Sequence, residues 1–501
     1  MTFPIARLWL AGLVLVPLAA RAQAPAAAFP ADHRTLTRAI SYADMSAFLA
    51  SVDGKGPITV SVEGKTAQGR SLYLVHATRG GHPAFRILFY AQQHGDEPAG
   101  KVALLYMIRD IAAKPELLPA DVDLWIMPMM NPDGGEAGTR RNGAGADLNR
   151  DHIVLEQPET QALYRVVRRV RPHLAVDCHE FGRDSDERRA RGWIAYPDIT
   201  MDGVDNPLFD PAVIAASQRW VDESAAVEAA AGHPFLRYSV GGMPPNEEQR
   251  HSAPDLDGGL NAVGAYGGLS FIIESAVMRS DAPPAPDLAR RVDAYLVLLR
   301  RFVNSDGHRA EDLAAVEHAR RRPLPAFIPT NYLWVNPGMT ITRFPVVEAA
   351  TGRVLEIPTP NMMTVMAVKS AVPAPLAYAI EPRAAAAFKL LLERQGIPYE
   401  ELAAARTVTA EACTLLRIED AFDDVYSRYE GRQIVRREVA APRELPAGTL
   451  LVPLAGEAAV RAALVLEPAA MYGPYQYPRF RALVTPGTPL PVLRVVAATA
   501  R

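Results

Sequence analysis

Three short runs place metal-binding or acid–base side chains directly after apolar, strand-like stretches. They are His94 and Glu97 in Gln92-Gln93-His94-Gly95-Asp96-Glu97, His179 in Val176-Asp177-Cys178-His179, and Glu274 in Phe271-Ile272-Ile273-Glu274. In parallel α/β sheets ligands bind beyond the carboxyl ends of strands, so these positions are where chemistry is expected. Two imidazoles and one carboxylate with an open fourth position form the ligand set of a catalytic zinc. Such an ion polarises a carbonyl and lowers the pKa of water to about 7. An isolated H-x-x-E is frequent by chance, and a histidine at a strand end is more often a structural hydrogen-bonder.

The polar run between them adds to the case. Asn131-Pro132-Asp133-Gly134 ends another strand-like stretch, and Arg140-Arg141-Asn142 and Asp147-Leu148-Asn149-Arg150-Asp151 follow. A guanidinium beside a carboxamide can clamp a carboxylate, and a second arginine can stabilise an oxyanion. Asp151, His152, Asp177 and Glu180 flank these positions and are candidates for hydrogen bonds to metal-bound histidines, or for local loop contacts.

The elements that must carry these residues alternate in type. Ile58 to Val62 and Ser71 to Ala77 read as a hairpin turning through Gly64 to Arg70, followed by strand-like runs Arg86 to Ala91, Leu124 to Met130, Leu174 to Cys178, Phe235 to Val240 and Leu269 to Ser275. Helical spacing covers Tyr42 to Val52, Lys101 to Ala112, Pro158 to Arg171, Pro211 to Ala231, Leu288 to Val303 and Glu311 to Arg322. The expected fold is α/β, a mixed and mainly parallel sheet flanked by helices. Pro323 and Pro325 mark a break, so residues 23–322 are expected to form the catalytic domain. Residues 323–501 then form a smaller α+β or mostly β accessory domain, whose Tyr332, Trp334, Tyr472, Tyr475 and Tyr477 are expected chiefly in core and interface.

Composition bounds the possibilities. The chain has 501 residues, 49% hydrophobic and 22% charged, with a formal charge of -3. This excludes a disordered chain and gives no global attraction to nucleic acid. Two cysteines, Cys178 and Cys413, are too few for a disulfide framework, and Cys178 lies in an apolar run that favours a buried thiol. Arg7, the apolar run Leu8 to Ala20 and the A-x-A site Ala20-Arg21-Ala22 read as a signal peptide over residues 1–22, too short to span a bilayer. An exported protein, periplasmic or extracellular, is expected.

With these motifs in order, residues from about Ile40 to Val303 resemble the carboxypeptidase A-like family of zinc metallocarboxypeptidases, beginning with Gly64-Lys65-Thr66-Ala67-Gln68-Gly69-Arg70. The resemblance implies one Zn²⁺ per chain, held by His94, Glu97 and His179. It implies Glu274 as general base, Arg140 as the oxyanion arginine with Arg141 its competitor, and Asn149-Arg150 as the pair that binds a terminal carboxylate. The family's substrate-covering tyrosine has no direct counterpart, since Arg250-His251-Ser252 stands in its place; Tyr266, and beside it Tyr238, are the substitutes. The implied partner is a peptide or peptide-like substrate with a free carboxylate, with no nucleic acid and no membrane span after signal cleavage. Two other enzymes fit the same residues: a deacylase of N-acyl amino acids resembling succinylglutamate desuccinylase or aspartoacylase, and a cell-wall peptide hydrolase. A non-catalytic binding protein on this fold would have no need of the full set.

Overall fold

The computed structural model describes residues 30–36, 38–81, 84–278, 284–305, 307–419 and 432–498; the expected signal peptide lies outside them. The main sheet uses strands β1 (Ile58–Lys65), β2 (Ser71–Ala77), β3 (Phe85–Ala91), β4 (Val122–Met127) and β5 (Leu174–Gly182). The short β6 (Trp193–Ala195) follows, then β7 (Ile199–Gly203), β8 (Phe235–Arg237), β9 (Val240–Gly241), β10 (Gln249–Arg250) and β11 (Leu269–Val277). The strand order in the main sheet is β1-β2-β4-β3-β5-β11-β7-β8. Its centre, β4-β3-β5-β11, is parallel, with the β1–β2 hairpin antiparallel on one side and β7 antiparallel to β11 on the other.

Burial explains the strand sequences. In β3 and β5 nearly every side chain is buried, so both faces must be covered and the runs are apolar without alternation. Helices Ala99–Ala113, Pro211–Ala230 and Pro284–Asn304 pack on one another and on the sheet. Helix Pro158–Val170 makes the crossover from β4 to β5. Because the β3-to-β4 and β4-to-β5 crossovers run in opposite directions along the sheet, right-handed connections put them on opposite faces, and this helix covers the side away from Ala99–Ala113.

The chain after Arg322 is tied into the first part. Strand Thr342–Glu348 pairs with β6, joining Val346 to Ala195, and Met362–Met363 pairs with β10. A separate six-stranded sheet orders strands Glu400–Glu401, Leu450–Pro453, Ala377–Ile380, Val492–Ala498, Arg406–Glu411 and Ala441–Leu445, with antiparallel pairing throughout. One continuous apolar core runs through both parts, from Leu88 and Phe271 to Phe388 and Tyr475. Cys178 and Cys413 are both buried and free.

Helix Ala99–Ala113 begins just after Glu97 and lies tight against β5. A Cβ on Gly100 would stand 2.6 Å from Cys178 Cβ and 3.4 Å from Ala91 Cβ. Gly100→Ala is expected to overpack this contact at a cost of about 1–3 kcal/mol. Urea denaturation checks it; an unchanged midpoint would mean that the helix and strand can part without loss.

Candidate active site

β3 and β5 end side by side, with Ala91 opposite Cys178, and the chain leaves β3 through Gln92 at a φ of 59°. L residues other than Gly, Asn and Asp seldom take this left-handed conformation. Here the Gln92 amide donates to the Gly95 carbonyl at 2.7 Å, while the Gln92 carbonyl accepts from Asn131 N at 3.0 Å. The turn swings His94 and Glu97 over the end of β5. His94 Nδ1 stands 2.9 Å from Glu97 Oε1, and His179 Nδ1 stands 3.0 Å from Glu97 Oε2 and 3.1 Å from His94 Nδ1. These three residues form a buried group whose donor atoms converge within 4.8 Å of one another.

The outer nitrogens explain why the inner ones face each other. Asp177 and His179 are two residues apart on β5 and therefore share a face, which puts Asp177 Oδ2 3.0 Å from His179 Nε2. His94 Nε2 meets Asp147 Oδ1 at 3.2 Å. Burial would raise the Asp147 carboxyl, but the His94 hydrogen bond and the nearby Arg140 and Arg150 charges hold it well below the usual range. With both Nε2 protons donated to carboxylates, both Nδ1 atoms present lone pairs to one point. Two such lone pairs repel unless a cation lies between them. Bonds of zinc–nitrogen length at a tetrahedral angle would set the nitrogens about 3.3 Å apart, so the group fits a divalent ion.

A cleft of about 950 Å³ opens over this group. Glu274 lines it from β11, opposite His179 in the parallel register, and burial pushes its carboxyl up to about 7 against the His179, His94 and Arg140 charges. Arg140 also lines the cleft, its Nε on Asp147 Oδ2 at 2.9 Å and its Nη1 3.1 Å from His94 Nδ1. Arg141 turns to the Gly145 carbonyl and does not line the cleft. Asn149 and Arg150 do; Asn149 Oδ1 accepts from Gly259 N at 2.8 Å, and Arg150 Nε lies 3.8 Å from Asp257 Oδ2.

Tyr266 is not brought to the site. Its hydroxyl donates to the Gln395 carbonyl at 2.8 Å and its ring lies 3.9 Å beneath the Arg461 guanidinium, so it anchors the later part of the chain to the core. Tyr238, just beyond β8, lines the cleft instead, and its buried hydroxyl senses both Glu274 and Arg150. Of the flanking polar residues, Asp177 touches a candidate ligand, whereas Asp151 accepts from Glu156 N and Gln157 N and holds its own loop. His152 joins Gln93 Oε1 at 2.8 Å, and Gln93 Nε2 reaches Asp177 at 2.6 Å. Glu180 pairs with Arg291.

Sequence reasoning missed Asp147 and Gln93 as supports. The signal for Asp147 was its place two residues before Asn149. The motifs quoted for the resemblance turn out to hold this frame together. Asn131 caps helix Pro132–Ala137 and donates to the Gln93 and Arg140 carbonyls, and Asp133 takes hydrogen bonds from Thr66, Gln68 N and Arg70 in the hairpin turn. The later part of the chain braces the loop after Asn149. Tyr477 donates to the Arg150 carbonyl at 2.7 Å, and Gln395 Nε2 donates to the His152 and Ile153 carbonyls, both at 2.7 Å.

Replacing Asp177 by Asn keeps the shape and removes the charge that orients His179. Zinc affinity is expected to fall by about 10–100-fold in competition with a chromogenic chelator. Equal affinity in the variant would show that the carboxylate has no part in orienting the ring.

Residues 45–183 match the family model described as zinc carboxypeptidase. A carboxypeptidase 2 of Trichophyton tonsurans is 27% identical over 196 residues, 38% of this chain and 36% of that protein. Carboxypeptidase SOL1 of Arabidopsis thaliana is 30% identical over 162 residues, 27% of this chain and 33% of that protein. The chain therefore spans about a third of the length of these curated relatives. Among solved structures, a metallo-carboxypeptidase from Pseudomonas aeruginosa in complex with (2-guanidinoethylmercapto)succinic acid is 25% identical, with 52% of this chain and 68% of that chain covered and a TM-score of 0.41. The matched segment holds His94, Glu97, His179, Arg140 and the Asn149-Arg150 pair, and over residues 45–183 the chain is similar to the zinc carboxypeptidase family.

Proposed function

We propose that the protein is an exported zinc carboxypeptidase that hydrolyses the peptide bond at or near the C-terminus of peptides. The observation that carries this reading is the meeting in one cleft of the His94, Glu97 and His179 group with Glu274, Arg140, Asn149 and Arg150. The names of the curated relatives support it. The N-terminal run Leu8 to Ala20 and the Ala20-Arg21-Ala22 site support export; among the described residues no helix is long and apolar enough to cross a membrane.

His94, Glu97 and His179 would hold the zinc, which when bound acts as a Lewis acid on the scissile carbonyl and makes water acidic enough to attack near neutral pH. Asn149 and Arg150 take the terminal carboxylate of the peptide, the guanidinium by a charge-assisted pair. Glu274 accepts a proton from the attacking water and returns it to the leaving amine. Arg140 donates to the oxygen that gains charge as the carbonyl becomes tetrahedral. Tyr238 takes the covering place beside Glu274 that Tyr266, committed to Gln395, does not fill. A cleft of about 950 Å³ has room for more than a single acylated amino acid, which favours a peptide.

The test is mass spectrometry of a mixed peptide pool incubated with the mature protein, with and without a chelator. Stepwise loss of C-terminal residues that stops with chelator is expected. An untouched pool, with cleavage of N-acyl amino acids included in it, would replace this reading by the deacylase. Glu274→Gln is expected to retain zinc and lose at least about a hundredfold in kcat.

Because Glu274 must be ionised to act as base, and burial raises its pKa to about 7, activity is expected to fall as pH drops through that value. The positive zinc beside it can only move the midpoint lower. An acid limb of kcat/KM that keeps its midpoint in the residual activity of Glu274→Gln would remove Glu274 from the base role.

A further inference from the structure

A side pocket of about 320 Å³ opens off the cleft beside Glu274. Glu274, Tyr238, Val240 and Phe181 belong to both spaces, whereas Arg140, Asn149 and Arg150 line only the main cleft. The pocket therefore meets the cleft at Glu274 and includes none of the residues that would clamp a terminal carboxylate. Phe181, Leu236, Val240, Met243, Phe344 and Val346 give it an apolar wall. Two of these, Phe344 and Val346, stand on strand Thr342–Glu348, which reaches the site by pairing with β6.

Two polar features narrow what fits. Gln249, 3% exposed and also lining the pocket, has an amide nitrogen with no hydrogen-bond partner. A buried donor left unmade is costly, so a ligand with an acceptor oxygen gains by meeting it. Arg188 is half-buried at the pocket, with a hydrogen bond to the Gly182 carbonyl. The remaining lining mixes the hydroxyls of Thr200, Tyr238 and Ser239 and the Glu274 carboxyl with the apolar side chains, and the Glu274 carboxylate disfavours an anionic occupant.

We propose that this pocket receives the side chain of the residue on the amino side of the scissile bond, and that it selects a large apolar side chain there. The inference rests on the carboxypeptidase reading, which fixes the direction of the peptide: the carboxylate at Asn149 and Arg150, the bond to be cut at Glu274, and the preceding residue beyond it. Gln249 then donates to an oxygen of that residue, its acyl carbonyl or a tyrosine hydroxyl. The strand after Arg322 thus supplies part of the wall that decides which peptides are cut.

Acetylated tripeptides that differ only in the middle residue, Gly, Phe, Tyr, Asp or Lys, test this. They share the C-terminal residue that the peptide pool shows to be released fastest. Phe and Tyr are expected to exceed Gly in kcat/KM by at least about tenfold, as full burial of such a side chain implies. Phe344→Ala should reduce that ratio, and Val240→Trp, which fills the pocket from its other wall, should reduce it as well if the first variant fails to fold. In the metal-free protein, calorimetric binding of the Phe and Gly peptides should show the same order. Turnover with no preference at the middle residue, or with preference for Asp, would overturn the pocket assignment and leave the carboxypeptidase reading in place. Failure to cut any peptide in the pool would overturn that reading and this inference with it.

Discussion

The site depends first on two hydrogen bonds from imidazole to carboxylate, His179 to Asp177 and His94 to Asp147. Each fixes which ring nitrogen carries the proton, and so turns the other lone pair toward Glu97. Without them, two neutral histidines 3.1 Å apart would rotate or share a proton, and no cation site would remain. Asp177 achieves this within one strand, because side chains two residues apart share a face. Asp147 comes from a loop, and Arg140 holds its other oxygen.

Much of the molecule serves to keep those groups in place. The parallel register of β5 and β11 sets Glu274 beside His179, and the same alternation turns Cys178 to the opposite face, where it meets Gly100 of the covering helix. The loop from Gln92 to Glu97 is tied by Asn131, whose amide reaches the Gln93 and Arg140 carbonyls, so candidate ligand and candidate oxyanion arginine share one brace. The later part of the chain adds a second brace through Tyr477 and Gln395. Its hydrogen bonds go to the backbone of Arg150, His152 and Ile153, and leave the Arg150 side chain to the cleft and the His152 ring to Gln93.

The longer strands and helices of the first 300 residues could be read with small shifts in their ends, because long apolar runs and helical spacing persist over many residues. The short β6 and β7, the latter between β11 and β8 in the main sheet, lie outside the runs read from the sequence. β5 runs on past Cys178 to Gly182, since pairing with β11 continues where the apolar run stops. The run Phe235 to Val240 divides into β8 and β9, which join different sheets. Tyr266 illustrates the limit of reading by spacing along the chain. It lies near Glu274 in sequence, yet its ring is taken up by Arg461 and its hydroxyl by Gln395, residues far along the chain.

What the sequence by itself determined was the identity and order of the chemistry: two imidazoles and a carboxylate after strand-like runs, a carboxamide–guanidinium pair, and a glutamate at the end of an apolar strand. Those features are local, set by residue type and short spacing, and so they survive being read one segment at a time. Only the tertiary structure decided which arginine of Arg140-Arg141 faces the cleft, that Asp147 orients His94, that Tyr238 and not Tyr266 stands beside Glu274, and that Phe344 and Val346 wall a pocket next to it. Each of these is a contact between segments tens to hundreds of residues apart, and its partner is selected by packing and strand register, which no local pattern encodes.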